Sequence, residues 1–246
     1  MGLRVIEIIP NTIQGEGKYS GAACQFIRLS GCHSHCKWCD TKESWNVNAG
    51  KLMTETEIAD ELSGIVNVCI TGGDPLLQDC GDLVSLLKKR GYQVHVEVHS
   101  IGEVQITKPK LRAANIGSTQ LEPPEDIKTK TTEVPSWLWA VDHITFCPKP
   151  HLKYDMRYLN LLGNDFFEMS LKLVVFPTTE SFDDAEEWIR QSSGMDCFQG
   201  LTYIQCACDN NGEIIEPQKI AELFIARKFP EHVRLTCQMH KIIKFK

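Results

Sequence analysis

The sequence predicts an α/β fold built on a partial (β/α) barrel. Short apolar runs rich in β-branched residues alternate with helical stretches, an order that lays strands parallel. Those runs stop at glycine or polar loops, where such folds gather their ligands. At 246 residues the chain is expected to form a single domain, 1–246, since α/β barrels of ~200–250 residues are commonly one unit.

Val5 to Ile9 reads as a strand broken by Pro10-Asn11, and the loop Thr12 to Gly17 follows. Two glycines in that loop let backbone approach a ligand closely. Ala23 to Ser30 alternates as a strand and runs into a cysteine-rich loop. Thr54-x-x-Glu57 is a capping box, so a helix is expected over Thr54 to Ser63, closed by Gly64. A strand at Val66 to Thr71 stops at Gly72-Gly73-Asp74-Pro75. A helix at Leu83 to Arg90 and a strand at Gln93 to Val98 come next, the strand ending in His99-Ser100.

Gly102 to Ser136 has little periodicity and reads as an irregular insertion, with a short strand at Val104 to Thr107. Regular alternation resumes at Val141 to Phe146, which leads into Cys147-Pro148-Lys149-Pro150. Strands at Leu171 to Phe176, Leu201 to Gln205 and Val233 to Cys237 alternate with helices at Phe182 to Ser192 and Pro217 to Lys228. This order gathers the Gly15, Cys32, Gly72, His99, Pro148 and Gln205 regions at one end of the sheet.

Composition narrows the class of function. Hydrophobic residues at 42% and charged residues at 24% describe an ordinary globular protein. A formal net charge of −6 with no basic run argues against direct nucleic-acid binding and favours a small-molecule substrate. No stretch approaches the ~20 apolar residues of a membrane span, and the N-terminus lacks a signal-peptide core. Eleven cysteines are then expected in a reducing cytoplasm, as ligands or buried small hydrophobes rather than disulfides.

Cys32, Cys36 and Cys39 are spaced C-x₃-C-x₂-C on one short loop, so three thiolates can reach a single metal centre. A structural zinc site or a simple electron-carrying cluster offers four protein ligands, and here the next cysteine is Cys69. Three thiolates on a four-iron cluster leave one iron open. A zinc loop completed by His33 or His35, or three unrelated core cysteines, fits the spacing as well.

The loop resembles that of the radical S-adenosylmethionine (SAM) enzymes, whose open iron chelates SAM. Gly72-Gly73-Asp74-Pro75 extends the likeness: these enzymes commonly carry Gly-Gly-Glu-Pro there, where bare backbone and the acid accept from the SAM amino group. Asp74 is one methylene shorter than that glutamate.

Further stretches resemble the 7-carboxy-7-deazaguanine synthase family: Thr12-Ile13-Gln14-Gly15-Glu16-Gly17, Phe26-Ile27-Arg28-Leu29-Ser30-Gly31-Cys32, Trp38-Cys39-Asp40-Thr41 and Ile70-Thr71-Gly72-Gly73. Cys147-Pro148-Lys149 stands where the family tends to have Ser-Pro-Lys, and Arg234 to Lys241 matches its ending. Two places depart from the pattern: His99-Ser100 replaces a usual Thr-Ser or Thr-Asn, and Gln205-Cys206-Ala207-Cys208 a usual Leu-Gln-Pro.

The resemblance implies a 4Fe-4S cluster on Cys32, Cys36 and Cys39, SAM, and Mg²⁺ held through Thr41. It implies SAM contacts from Trp38, Asp40, Gly72, Gly73, Asp74, Ser100, Cys147, Pro148, Lys149, Gln205, Cys206, Ala207 and Cys208. It further implies contacts to a pterin substrate from Ile13, Gln14, Gly15, Glu16, Arg28, Thr71, His240 and Lys246. Arg28 suits the substrate carboxylate, and Glu16 the guanidine-like edge of the ring. The implied reaction turns 6-carboxy-5,6,7,8-tetrahydropterin into 7-carboxy-7-deazaguanine with loss of ammonia, on the way to queuosine and other 7-deazapurines, and SAM is regenerated. A reductant such as flavodoxin or ferredoxin and a homodimer are expected with it. A glycyl-radical-enzyme activase shares the cysteine spacing but leaves Thr12 to Gly17 and Cys39-Asp40-Thr41 unexplained. A non-catalytic metal-binding or regulatory protein on the same fold is the other alternative.

Overall fold

The computed structural model describes residues 2–101, 104–107, 128–131, 134–156, 169–193, 201–209, 211 and 213–243. Its strands are β1 (Leu3–Ile13), β2 (Ala23–Leu29), β3 (Lys51–Met53), β4 (Asn67–Gly72), β5 (Gln93–Val98), β6 (Val104–Thr107), β7 (Lys128–Thr131), β8 (His143–Phe146), β9 (Met169–Val175), β10 (Thr202–Cys206) and β11 (Val233–Thr236). The helices are α1 (Glu55–Asp60), α2 (Gly81–Lys89), α3 (Thr179–Ser192), α4 (Pro217–Arg227) and α5 (Met239–Ile242).

Nine strands share one open sheet in the order β11-β10-β9-β8-β5-β4-β2-β1-β3. From β2 to β11 every neighbouring pair is parallel, while β1 pairs antiparallel with β2 and β3. A sheet with two edges, β3 and β11, is the expected partial barrel. Its strands read as continuous apolar runs because helices cover them; β8 and β10 are buried along their whole length. One core joins Ile27, Ile70, Val96, Ile144, Leu171 and Ile204 of the sheet to Leu83 and Leu87 of α2 and Phe182 of α3. No described helix is long and apolar enough to cross a membrane.

The strand that sequence stops at Pro10 runs on to Ile13. Its pairing with β2 shifts register between Ile9 and Thr12, so the proline, which lacks an N–H, sits where the ladder is interrupted. The capping box at Thr54 forms as expected, with Glu57 N–H donating to Thr54 Oγ1 at 3.2 Å and Thr54 N–H to Glu57 Oε2 at 2.7 Å. Yet α1 ends at Asp60 rather than Ser63, because Ser63 N–H donates instead to Gln25 Oε1 at 2.5 Å and its hydroxyl to Pro10 O at 2.6 Å. Within the expected insertion, the strand at Val104–Thr107 is present and pairs with the unexpected β7; most of the remaining stretch lies outside the described residues.

Candidate active site

The cysteine loop leaves β2 through Gly31, whose φ of +96° is open to glycine, and passes His35 at φ +47°. Its course is pinned by the residues that follow: Gly31 N–H donates to Ser44 O at 2.7 Å and Cys32 N–H to Trp45 O at 3.2 Å. Cys39 N–H donates to Cys36 O at 3.0 Å, which closes the turn between two of the thiols. From the far side His151 Nε2 lies 2.8 Å from Ser34 O. Trp38 packs edge-on against Phe176, with ring centroids 5.4 Å apart.

All three thiols line one cavity of about 470 Å³ at the C-terminal ends of the parallel strands. Burial pushes the Cys32 and Cys36 thiols above their ordinary range, with Asp74 adding to the effect at Cys32 and Ser34 and Lys149 opposing it at Cys36. Free thiols facing one space, Cys36 buried and Cys32 and Cys39 partly so, are a donor set for soft metal, which ionises them on binding.

Gly72 and Gly73 form the adjoining wall. A Cβ at Gly72 would stand 2.2 Å from Leu29 O, and one at Gly73 1.9 Å from Gly31 O, so both positions exclude any side chain. Gly72 also takes φ +126°. Asp74 is fully buried and does not line the cavity. Its Oδ1 accepts from Leu76 N–H at 3.3 Å, and its Oδ2 lies 3.6 Å from His99 Nδ1. The His99 ring, not the acid, reaches the cavity wall.

Arg28 sits on β2 with its guanidinium between Glu7 Oε1 (2.9 Å) and Thr41 Oγ1 (3.0 Å), and both Arg28 and Thr41 line the cavity. Thr41 in turn donates to Asp40 Oδ1 at 3.1 Å. Asp40 also meets Lys241 at 3.0 Å. Burial works to raise the Asp40 carboxyl, but Lys241, Gln238 and Thr41 hold it well below the usual range.

Opposite lies a buried ion triad. Lys172 Nζ is 2.5 Å from Glu16 Oε2 and 3.0 Å from Glu97 Oε2. Burial opposes charge on both Glu16 and Lys172, yet the pairing wins: the Glu16 carboxyl is lowered and the Lys172 ammonium raised. Gln238 Nε2 donates to Glu16 Oε1 and Gln14 Nε2 to Glu97 Oε1, the latter at 3.4 Å. The segment bearing α5 docks on the Thr12–Gly17 loop through Met239 N–H to Gly15 O at 3.0 Å. A Cβ on Gly15 would fall 2.0 Å from His240 Nδ1, so the glycine serves this close approach.

Of the residues expected at the site, Ile13, Gln14, Glu16, Arg28, Cys32, Cys36, Trp38, Cys39, Asp40, Thr41, Thr71, Gly72, Gly73, Cys147, Lys149, Gln205, Cys206, Ala207, Cys208 and His240 line this cavity. Gly15, Asp74, Ser100 and Pro148 stand behind its wall. Lys246 lies outside the described residues. Cys206 is a buried thiol, pushed up to about 11 by burial and by Cys237 and Cys208. Sequence reasoning did not single out Lys172, Glu97, Gln238 or Lys241, all of which line the cavity. Lys172 and Glu97 had a signal, a lone charge inside an apolar strand: Leu171-Lys172-Leu173-Val174 and Val96-Glu97-Val98.

The family described as "4Fe-4S single cluster domain" matches residues 13–100. The chain is 33% identical to the 7-carboxy-7-deazaguanine synthase of Bacillus cereus over 189 residues, 70% of this chain and 65% of that protein. It is 31% identical to the Bacillus subtilis enzyme of the same name, over 71% of this chain and 67% of that one. A third, from Hyperthermus butylicus, is 40% identical over 40% of this chain and 43% of its own length. These matches span 43–67% of the relatives' length. The crystal structure of QueE from Escherichia coli shares the fold, with a TM-score of 0.59 at 20% identity over 98% of this chain and 95% of that one.

Proposed function

The chain belongs to the 7-carboxy-7-deazaguanine synthase family, and from that premise we propose that it converts 6-carboxy-5,6,7,8-tetrahydropterin to 7-carboxy-7-deazaguanine with loss of ammonia. The observation that carries this reading is the gathering of three thiols, two bare glycines, Arg28 and an acid-lined wall around one 470 Å³ cavity. Cys32, Cys36 and Cys39 would hold a 4Fe-4S cluster, and a SAM molecule on its open iron would be met by the Gly72-Gly73 backbone, Trp38 and the Gln205–Cys208 stretch. When bound, these groups would supply radical hydrogen-transfer chemistry with SAM regenerated, so the net change in the substrate would be the loss of one ammonia.

The protein's own part is to bind, orient and enclose. Arg28, a fixed fork already braced by Glu7, offers two donors to the substrate carboxylate. Thr41 offers its hydroxyl oxygen to Mg²⁺, a hard ion suited to it, beside the anionic Asp40. At the other end, carboxylate acceptors on Glu16 and Glu97 match a guanidine-like ring edge, which presents donors only. His240 and Gln238 close the cavity over the ring. Burial holds the His240 imidazole below its ordinary range, so it enters as a neutral group. In the same reading the enzyme is one domain, works as a homodimer in the cytoplasm and takes its electron from flavodoxin or ferredoxin.

The test is anaerobic incubation of iron- and sulfide-reconstituted protein with reductant, SAM, Mg²⁺ and the carboxytetrahydropterin, followed by mass spectrometry. Formation of 7-carboxy-7-deazaguanine is the expected result. Release of 5′-deoxyadenosine alone would keep the radical chemistry and defeat the substrate; neither product would defeat both.

A further inference from the structure

Three side chains beside the cysteine loop are left unused by that reading. His33 follows Cys32, Asp74 follows the glycine pair after β4, and His99 follows β5. One ligand-type atom from each lies within 4.8 Å of the other two. The two imidazole rings stand 5.4 Å apart, tilted by 39°. Asp74 is 0% exposed, yet among the described residues its Oδ2 accepts no hydrogen bond, and His99 Nδ1, at 3.6 Å, is too far to donate one. A buried carboxylate oxygen in that condition costs free energy that a cation would relieve.

We propose that His33, Asp74 and His99 form a binding site for a divalent first-row transition-metal ion, separate from the cysteine site. Two imidazoles and one carboxylate suit zinc, iron(II) or cobalt(II), whereas magnesium and calcium favour all-oxygen sets. Ligand atoms ~2.0–2.2 Å from a shared tetrahedral ion are about 3.3–3.6 Å apart, so atoms lying as far as 4.8 Å from one another must close by up to about 1.5 Å. His33, half-buried on its loop, supplies that adjustment, and solvent completes the coordination. The site is empty. Filled, it would add a side-chain tie between the cysteine loop and the ends of β4 and β5, beside the backbone bond from Asp74 N–H to Gly31 O. The usual acid and hydroxyl residues at positions 74 and 99 of the resembled family bring no such pair of imidazoles, so the site belongs to this chain's own departures. It is independent of the substrate reading, because an inactive protein would still bind the ion.

The experiment equilibrates cluster-loaded protein anaerobically with equimolar Zn²⁺, removes unbound metal, and measures zinc, iron and the zinc K-edge absorption spectrum. Expected are retained zinc with undiminished iron, and a nitrogen and oxygen shell at ~2.0–2.1 Å. Zinc affinity should fall at least about tenfold in His33→Ala and His99→Ala. Asp74→Asn should weaken it too while keeping the acceptor oxygen that caps Leu76. His33→Ala changes only a half-buried loop residue, so the test survives if the other two variants misfold. A sulfur shell at ~2.3 Å would put the ion on the cysteines and overturn the proposal. Failure to retain zinc, or wild-type affinity in His33→Ala and His99→Ala, would overturn it as well.

Discussion

Lys172 is a charge that the fold must neutralise, since its ammonium is buried between Glu16 and Glu97. Lys172→Met should destabilise the protein by about 3–5 kcal/mol, because two buried carboxylates would face each other without a cation. In urea the midpoint should fall with little change in slope. The Glu16 carboxyl is held low, so its contribution is present at neutral pH and is lost as pH falls through the lowered value. Without Lys172 the two carboxylates favour their protonated forms, so the deficit of Lys172→Met relative to wild type should narrow as pH falls. His95 has a parallel effect by another cause. Burial lowers its imidazole from 6.5 to about 4, against the rings of Tyr19 and His143. The unfolded chain then binds the proton more readily, and stability should decline as pH drops from about 6.5 towards 4. Thermal melts of His95→Phe across that range should show a shallower decline than wild type. The lone charges of Lys172 and Glu97 inside apolar strands were visible beforehand, but their pairing was not, because it joins β9, β5 and the Thr12–Gly17 loop.

The elements were more legible, and the reason is local. Several parallel strands stop within two residues of a glycine or proline, as β2 does at Gly31, β8 at Pro148 and β9 at Pro177, and Gly72-Gly73 is the sharpest instance. Gly73→Ala would press a methyl onto Gly31 O, from which the ideal position is 1.9 Å away, and onto Ser44 O at 2.9 Å. Both are backbone atoms that cannot swing aside. A cost of about 2 kcal/mol is expected, seen as a loss of ~4–8 °C in the melting temperature. The cysteine loop should become more open to thiol-directed alkylation, since Gly31 is also where Asp74 N–H anchors it at 2.7 Å. Where sequence misjudged an element, a distant side chain decided. Gln25 and Pro10 capture Ser63 and shorten α1, and the antiparallel partner β2 carries β1 past a proline that would stop an isolated strand. Short pieces such as β3 and α5 had too few residues to show a period.

On the scale of the molecule, the site is assembled from both ends of the described chain. Gln238 reaches Glu16 across 222 positions and Lys241 reaches Asp40 across 201, while Met239 is bonded to Gly15. The Lys241–Asp40 pair is partly exposed, so Lys241→Met should change global stability by less than ~1 kcal/mol. Its effect belongs to the latch: hydrogen exchange at Met239 and Ile243, whose N–H groups bond to Gly15 O and Met239 O, should quicken while the core strands stay protected. Rapid exchange at those two amides already in the wild type would mean that no latch exists.

The latch also gives the polypeptide a history. During synthesis the cysteine loop, the glycine pair and β1 leave the ribosome long before residues 238–241 exist, and at ~5–20 residues per second the wait is many seconds. The latch cannot form before residues 238–241 have been made, so a group to be lodged deep inside should enter most easily before it closes.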